Sequence, residues 1–460
     1  MKNFYLIVAL FVCAQGHVNA QLLNNKLIDT NTLTNDLTQR VDDTTELIKR
    51  KAEQSVDRIK PGIDKIANST EKLIDPLIKL PQQLPILNSA GKPAFVDVEV
   101  EHGWRAVERE WLIMLDESEL INLQKLPVEI LEKTRFDELD LTLVRFRAPV
   151  DLDSIDALKK QLPEKFSTRL DRNHIYTSQI NKTPNEVTTT SLAVPICTND
   201  IKIGMIDTAI KADHLAFKAS ANKITQKNFL DEQMAQPDAH GTAVAGLLLG
   251  QGEELKPLLP NASLYSASVF YAQNEYSQGA TMINLVRALN WLISENVSVI
   301  NMSLAGPDNQ ILAKVISKTI SSGKVVVAAA GNEGPAAPPM FPAAYPGVIA
   351  ATAVDKEQHI YRWANRGNHI YFSTMGVSVL TARSSGGFGR ESGTSMAAPI
   401  VAAFVACELV QNIAPSNLLE RLSAKATDLG EQGRDPVFGV GVLDAIQKRA
   451  LNISDASVSE

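Results

Sequence analysis

Four short segments carry residue types suited to nucleophilic chemistry. In Gly393-Thr394-Ser395-Met396-Ala397-Ala398-Pro399 a serine opens a small and apolar run that continues from Ile400 to Cys407. A hydroxyl at the start of such a helix lies beside free backbone N–H groups, where the helix dipole favours developing negative charge. Asp207 follows the apolar run Ile201-Lys202-Ile203-Gly204-Met205-Ile206, which reads as a buried parallel strand. That puts its carboxylate at the carboxyl edge of a sheet, where open α/β folds bind ligands. His240 opens the segment Gly241-Thr242-Ala243-Val244-Ala245-Gly246, whose small residues let a helix approach its neighbour closely and hold the imidazole by rigid packing. Asn332, after the run Val325 to Ala330, stands between Gly331 and Gly334. Glycines there let another backbone come near, and the amide supplies N–H donors.

Taken singly, each segment has a plainer reading: an N-cap for Gly-Thr-Ser, a turn for the Asp, a capping or surface position for the His, an Asn-Gly-type turn for the Asn. Their company and order argue otherwise. Acid, base and nucleophile run Asp207, His240, Ser395, and this order separates folds that share one chemistry. The chain resembles the subtilisin-like serine peptidases. The resemblance rests on Asp-Thr at Asp207, His-Gly-Thr-x-Val-Ala-Gly from His240, Asn301-Met302-Ser303-Leu304, Ala330-Gly331-Asn332-Glu333-Gly334, and Gly-Thr-Ser-Met-Ala-x-Pro around Ser395. It covers roughly residues 195 to 450.

The resemblance implies a doubly wound, mostly parallel α/β sheet with helices on both faces. It makes Ser395 the nucleophile, His240 the general base and acid, and Asp207 the group that fixes the imidazole tautomer. Asn332 and the Ser395 N–H would bind the oxyanion. Ser303, Leu304, Ala305 and Gly306 would pair with substrate and wall one side of its pocket, with Ala330 and Gly331 opposite. Such hydrolysis requires no metal or organic cofactor. Structural calcium occurs in the family, but no acidic loop of this chain names its ligands. Three positions depart from the family pattern: Ala209 and Ala305 where glycine is usual, and Thr374-Met375-Gly376 where Ala-Pro-Gly is usual. They touch local geometry and specificity without removing a catalytic group.

At 460 residues the chain suggests about three domains, and its 45% hydrophobic content suits a sizeable core. A net charge of −7 gives no basic signature for nucleic acid. Met1-Lys2-Asn3, the apolar stretch Phe4 to Ala14 and the ending Val18-Asn19-Ala20 read as a signal peptide over residues 1–20, too short to span a bilayer. No later segment is long enough to cross a membrane, so a secreted or periplasmic location follows. Export leaves Cys197 and Cys407. A helix carries Cys407 about 18 Å from Ser395 at about 1.5 Å per residue, toward the start of the Asp207 strand where Cys197 lies. The pair forms either a bridge or two buried thiols.

Two textures precede the protease-like part. Residues 21–90 show apolar positions at helical spacing (Leu33, Leu37, Val41, Ile48, Ala52) and read as an amphipathic helical extension, with Pro81 to Pro93 as a linker. Residues 104–176 read as strand Glu110–Asp116, helix Glu117–Leu126, strands Val128–Thr134 and Leu139–Ala148, helix Ser154–Leu162 and strand Phe166–Tyr176. That β-α-β-β-α-β order is the ferredoxin-like motif, and the resemblance implies an inhibitor-like propeptide of this fold. Residues 177–194, rich in Thr and Asn, read as a cleavable connection. The expected partners are protein or peptide substrates and the chain's own propeptide. Two rival classes are a catalytically silent subtilisin-like binding protein and a scaffold that binds partners through its N-terminal region.

Overall fold

A computed structural model describes residues 80–178, 195–230, 234–274, 277–411 and 417–444. The expected signal peptide, most of the helical extension, nearly all of the connection 177–194 and the stretch beyond Asp444 lie outside these residues.

In chain order the strands are β1 (Gln83–Leu87), β2 (Pro93–Glu99), β3 (Arg105–Met114), β4 (Glu129–Phe136), β5 (Leu141–Arg147), β6 (Leu170–Ser178), β7 (Lys202–Asp207), β8 (Ile224–Asn228), β9 (Ser263–Ser268), β10 (Tyr271–Ala272), β11 (Gln278–Thr281), β12 (Val299–Met302), β13 (Leu304–Ala305), β14 (Val325–Ala329), β15 (Ile349–Val354), β16 (Ile370–Met375), β17 (Val379–Ala382), β18 (Phe388–Glu391) and β19 (Val442–Leu443). Eight of them form one sheet in the order β19-β16-β15-β14-β12-β7-β9-β8, with every pairing parallel. From β7 the chain first fills one side of the sheet with β8 and β9, then crosses to β12 on the other. The order therefore reverses beside β7, and a crevice opens at the carboxyl ends of β7 and β12.

Helices cover both faces. On one, the His240 helix (Ala239–Leu249) and the Ser395 helix (Thr394–Leu409) pack with Ile203, Met205, Val327 and Phe372 into an apolar core. On the other, the helices Met282–Ser294 and Gln310–Ser321 pack against Ile206, Ile300 and Val326. The His240 and Ser395 helices are buried along nearly their whole length, which explains the absence of a polar stripe in their sequences. Cys197 and Cys407 form a disulfide across 210 residues of sequence, resolving the two alternatives left by their spacing. Among the described residues no helix is long and apolar enough to cross a membrane.

The first six strands build an antiparallel sheet. β3 lies between β5 and β6, and β4 flanks β5, so the four strands run β4-β5-β3-β6 in space. Helices Leu120–Gln124 and Ile155–Gln161 join them, enclosing a core of Trp111, Ile113, Phe146, Leu158 and Phe166. The strand expected from Glu110 begins at Arg105, and the helix expected over Glu117–Leu126 is a 3-10 turn at Glu117–Glu119 followed by Leu120–Gln124. The last strand starts at Leu170 rather than Phe166, because Glu164–Phe166 is a 3-10 turn.

The stretch expected to be helix end and linker is instead the antiparallel hairpin β1–β2. Pro85 sits in β1, the sheet's edge strand, and Pro93 opens β2, the two places where a missing N–H costs no ladder bond. The Asn88 side chain accepts from the N–H groups of Ala90 and Lys92, closing the turn. Prolines that punctuate a sequence as a linker here mark an edge.

Candidate active site

Asp207 is the last residue of β7 and is fully buried. Its Oδ1 accepts from the Thr208 N–H at 2.7 Å. His240 Nδ1 lies 2.8 Å from Asp207 Oδ1 and 3.0 Å from Oδ2. A carboxylate only accepts, so Nδ1 carries the proton and Nε2 is left as the acceptor. Helix and strand can come this close because residue 241 is glycine. A Cβ there would lie 2.4 Å from the carbonyl oxygen of Thr208 and 2.6 Å from that of Ala209. Thr208 Oγ1 accepts from the Gly241 N–H at 2.7 Å and fastens the contact. Ala209, where glycine is usual, has no positive φ, and its N–H donates to the Pro237 carbonyl. The turn does not need a glycine.

Two opposing effects act on the imidazole. Burial disfavours its charged form, while the charge and hydrogen bond of Asp207 and the charge of Glu391 favour it. The carboxylates win, and the His240 pKa is raised above its usual value. Glu391 ends β18 and pairs with Arg383 at 3.3 Å. Burial holds its own pKa up, against the charges of Arg383 and His240.

Ser395 stands in the first turn of its helix. Pro399 lies inside that helix and has no N–H to offer the carbonyl four residues back. That carbonyl belongs to Ser395, and Ser303 Oγ donates to it at 3.0 Å. Asn301 Nδ2 in turn donates to Ser303 Oγ at 3.0 Å. Thus the end of β12 anchors the first turn of the Ser395 helix through the position that proline leaves open.

Asn332 follows β14 across Gly331, whose φ is 109°. Its Oδ1 accepts from the Thr394 N–H at 3.0 Å and from Thr394 Oγ1 at 3.1 Å. With the oxygen end held, Nδ2 lies beside Gly393, where a Cβ would approach it to 3.1 Å. Asn365 pins the same loop: its N–H donates to the Gly331 carbonyl and its Oδ1 accepts from the Glu333 N–H. Ser395 Oγ, His240 Nε2 and Asn332 Nδ2 are buried atoms with no hydrogen-bond partner among the described residues. Buried polar atoms are nearly always paired. An acyl-transfer substrate would use these three: a nucleophile, a proton acceptor and an oxyanion donor.

Beside them, β6 lies between β13 and β11, antiparallel to both: Ser178 opposes Leu304, Thr177 opposes Ala305 and Gly279, and Tyr176 opposes Ala280. β6 ends at Ser178, opposite Leu304, the residue after Ser303. Tyr176 is fully buried, and its hydroxyl donates to the Pro307 carbonyl at 2.8 Å. A Cβ on Gly306 would fall 2.3 Å from its ring. Ala305 keeps its strand pairing despite its methyl group. Ala330 and Gly331 continue from β14 on the other side of the crevice.

Sequence reasoning singled out Asp207, His240, Ser395 and Asn332, with Ser303 to Gly306 and Ala330-Gly331; the structure bonds His240 to Asp207, Ser303 to Ser395, and Asn332 to Thr394, the neighbour of Ser395. It overlooked Thr208, Thr394 and Asn365, which orient those side chains, the charge of Glu391, and β11 as the second pairing strand. A signal for β11 was present: Gly279, among small residues just before an apolar helix, is a place of close approach, and a Cβ there would meet Tyr271 and Ile175. Among the described residues, one group of metal-ligand types clusters within 4.8 Å: Asp355, Glu357 and His359. Asp355 Oδ1 already closes a turn by accepting from the N–H groups of Glu357 and His359.

The doubly wound parallel sheet with helices on both faces is a subtilisin-like fold. The subtilase family profile matches residues 198–441, and the chain belongs to that family, one of serine-type endopeptidases. Subtilisin DY of Bacillus licheniformis is 34% identical over 255 residues, covering 53% of this chain and 89% of that protein. Subtilisin E of Bacillus subtilis (strain 168) is 32% identical over 258 residues, 54% of this chain and 65% of its own length. The match to minor extracellular protease Epr of the same strain, 28% identical over 250 residues, spans only 38% of that protein. The chain thus covers less than two thirds of several relatives. Fervidolysin from Fervidobacterium pennivorans, a keratinolytic enzyme related to subtilisin, has the same fold, with a TM-score of 0.59 over 80% of this chain and 63% of that one at 18% identity.

Proposed function

We propose that this chain is an exported serine endopeptidase made as a self-processing zymogen. Ser395 Oγ attacks the peptide carbonyl while His240 Nε2 takes its proton, later returning it to the leaving amine. Asp207 holds the tautomer and stabilises the imidazolium. Asn332 Nδ2 and the Ser395 N–H receive the oxyanion. Leu304 and Ala305 pair with the substrate strand, and no cofactor enters the reaction. The observation that carries this reading is the buried His240–Asp207 hydrogen bond at the carboxyl end of β7, supported by Ser395 Oγ, His240 Nε2 and Asn332 Nδ2 being buried without a hydrogen-bond partner among the described residues.

Residues 104–176 act as a ferredoxin-like inhibitory domain. The β4-β5-β3-β6 order supports this, because it is the spatial order of the ferredoxin-like motif, and β6 lies along β13 and β11 as a substrate would. Its side chains also dock on the catalytic part. Asp171 Oδ2 accepts from the Gln310 N–H, Asn173 Oδ1 accepts from the Ile283 N–H, and Arg287 forms two 2.7 Å bonds to Glu132. The cut falls between Tyr176 and Cys197. The silent-binding and scaffold readings are not favoured, since neither accounts for nucleophile, base and oxyanion donor at one crevice.

The test is a fluorophosphonate probe together with Ser395→Ala. Wild-type protein should label at Ser395 and lose its N-terminal region. Purified Ser395→Ala should neither label nor shorten. Normal shortening of the variant would remove self-processing, and a wild type that never labels would remove the peptidase reading.

A further inference from the structure

The hairpin β1–β2 is extra to the four-strand domain. It extends the sheet beyond β3, giving the order β1-β2-β3-β6-β11-β10. Three strands separate β2 from β10, yet their side chains meet, so the sheet curls round an interior of its own. That interior holds Ile86, Val107 and Ile175 from the N-terminal side and Leu230, Met234 and Tyr271 from the catalytic side. Phe95 of β2 meets the Tyr271 ring edge-on, with centroids 5.1 Å apart.

Two residues along β2 lies Asp97, whose side chain is fully buried. Arg105 Nε donates to its Oδ1 at 2.6 Å. The other oxygen is satisfied from the catalytic part: Gln273 Nε2 donates to Oδ2 at 2.6 Å and the Tyr271 hydroxyl at 3.4 Å. A buried carboxylate is costly unless both oxygens are bonded. Half of what makes Asp97 tolerable thus belongs to the other side of the interface. Packing alone would be served by an apolar residue; the carboxylate adds a demand for a specific partner.

We propose that the outer side of the β10–β11 hairpin, formed by Leu230, Met234, Tyr271 and Gln273, is a docking site separate from the substrate cleft. It takes an extended segment that presents an aromatic ring and, two residues later, a carboxylate. In this chain the occupant is β2, with Phe95 and Asp97. Because β10 backs β11, and β11 is one wall of the cleft, this grip holds the wall against β6 and prolongs inhibition after the connection is cut. That consequence rests on the proposed inhibitory role of residues 104–176; the docking site itself does not.

Two measurements separate these parts. In the uncut Ser395→Ala chain, adding Asp97→Ala should speed amide hydrogen exchange at Tyr271–Gln273 and Gln278–Thr281 roughly tenfold or more, the loss expected for a bond to a charged group. Gln273→Ala in the same chain should do likewise from the other side, which keeps the test readable if Asp97→Ala fails to fold. Unchanged exchange in the folded variants overturns the docking site. In the active chain, Asp97→Ala and Phe95→Ala should shorten the lag between chain cutting and full activity several-fold while yielding an identical mature enzyme, since both residues leave with the excised part. Faster exchange with an unaltered lag overturns control of inhibition and retains the site. A wild type that keeps its N-terminal region and is fully active overturns the inhibitory reading instead, with the exchange result still deciding the site.

Discussion

Thr394 holds the oxygen of the Asn332 amide, so the donor end needs no rearrangement when charge develops on a substrate carbonyl. Such preorganisation is where electrostatic stabilisation is largest. Asn332→Ala should lower kcat roughly 10²- to 10³-fold with little change in KM, a magnitude known from subtilisin itself rather than obtained from this structure. Unchanged kcat would take Asn332 out of the reaction. Glu391 offers a second test at this scale. Its charge helps hold the His240 pKa above its usual value, and a base must be neutral to act, so the raised pKa moves the acid limb of kcat/KM upward in pH. Glu391→Gln should lower the His240 pKa and let activity persist to lower pH. A pH profile of kcat/KM checks this, and an acid limb that stays put or moves up would refute it.

Two helix starts and a loop deliver the three polar atoms, and a strand end delivers the carboxylate behind them; each delivery depends on a close backbone approach. Gly241 is the tightest of these, since its absent Cβ would meet carbonyl oxygens of Thr208 and Ala209 rather than a yielding side chain. Gly241→Ala should push the His240 helix off the end of β7. We expect about 1–3 kcal/mol of destabilisation, as for other overpacked interiors, together with a fall in kcat as the His240–Asp207 bond lengthens. Denaturant unfolding and turnover measured on the same preparation check both. Full turnover with only a loss of stability would mean that the helix shifts without moving the ring.

Across the whole molecule, an eight-stranded parallel sheet pairs segments far apart in sequence, and such non-local pairing is slow to form. Strand β6 docks on two helices that cover one face of it. Asn173 and Asp171, two residues apart on β6, accept from the first turns of the helices Met282–Ser294 and Gln310–Ser321, satisfying N–H groups that helix starts leave open. A chain beginning at residue 195 and carrying Ser395→Ala should therefore refold more slowly, by at least about tenfold, than the full Ser395→Ala chain. Stopped-flow or manual-mixing fluorescence reads the rates, and equal rates would confine the domain to inhibition.

The sequence alone singled out Asp207, His240, Asn332 and Ser395, because each stands where a buried apolar run meets glycine or small residues, a local pattern with a local cause. It determined the parallel sheet for the same reason: strands buried on both faces must be continuously apolar. The β-α-β-β-α-β stretch was legible from its periodicities, apart from ends set by 3-10 turns. Other features existed only once the chain was folded. Thr208, Thr394 and Asn365 are ordinary polar residues until tertiary contacts bring them to the groups they orient. Cys197 and Cys407 could be joined or separate until the helix and the chain before β7 were laid side by side. Prolines 85 and 93 read as linker because a sequence does not show which strand will be an edge. Nothing local to Asp97 marks it as buried, since the pairing of its second oxygen with Gln273 depends on a residue 176 positions away.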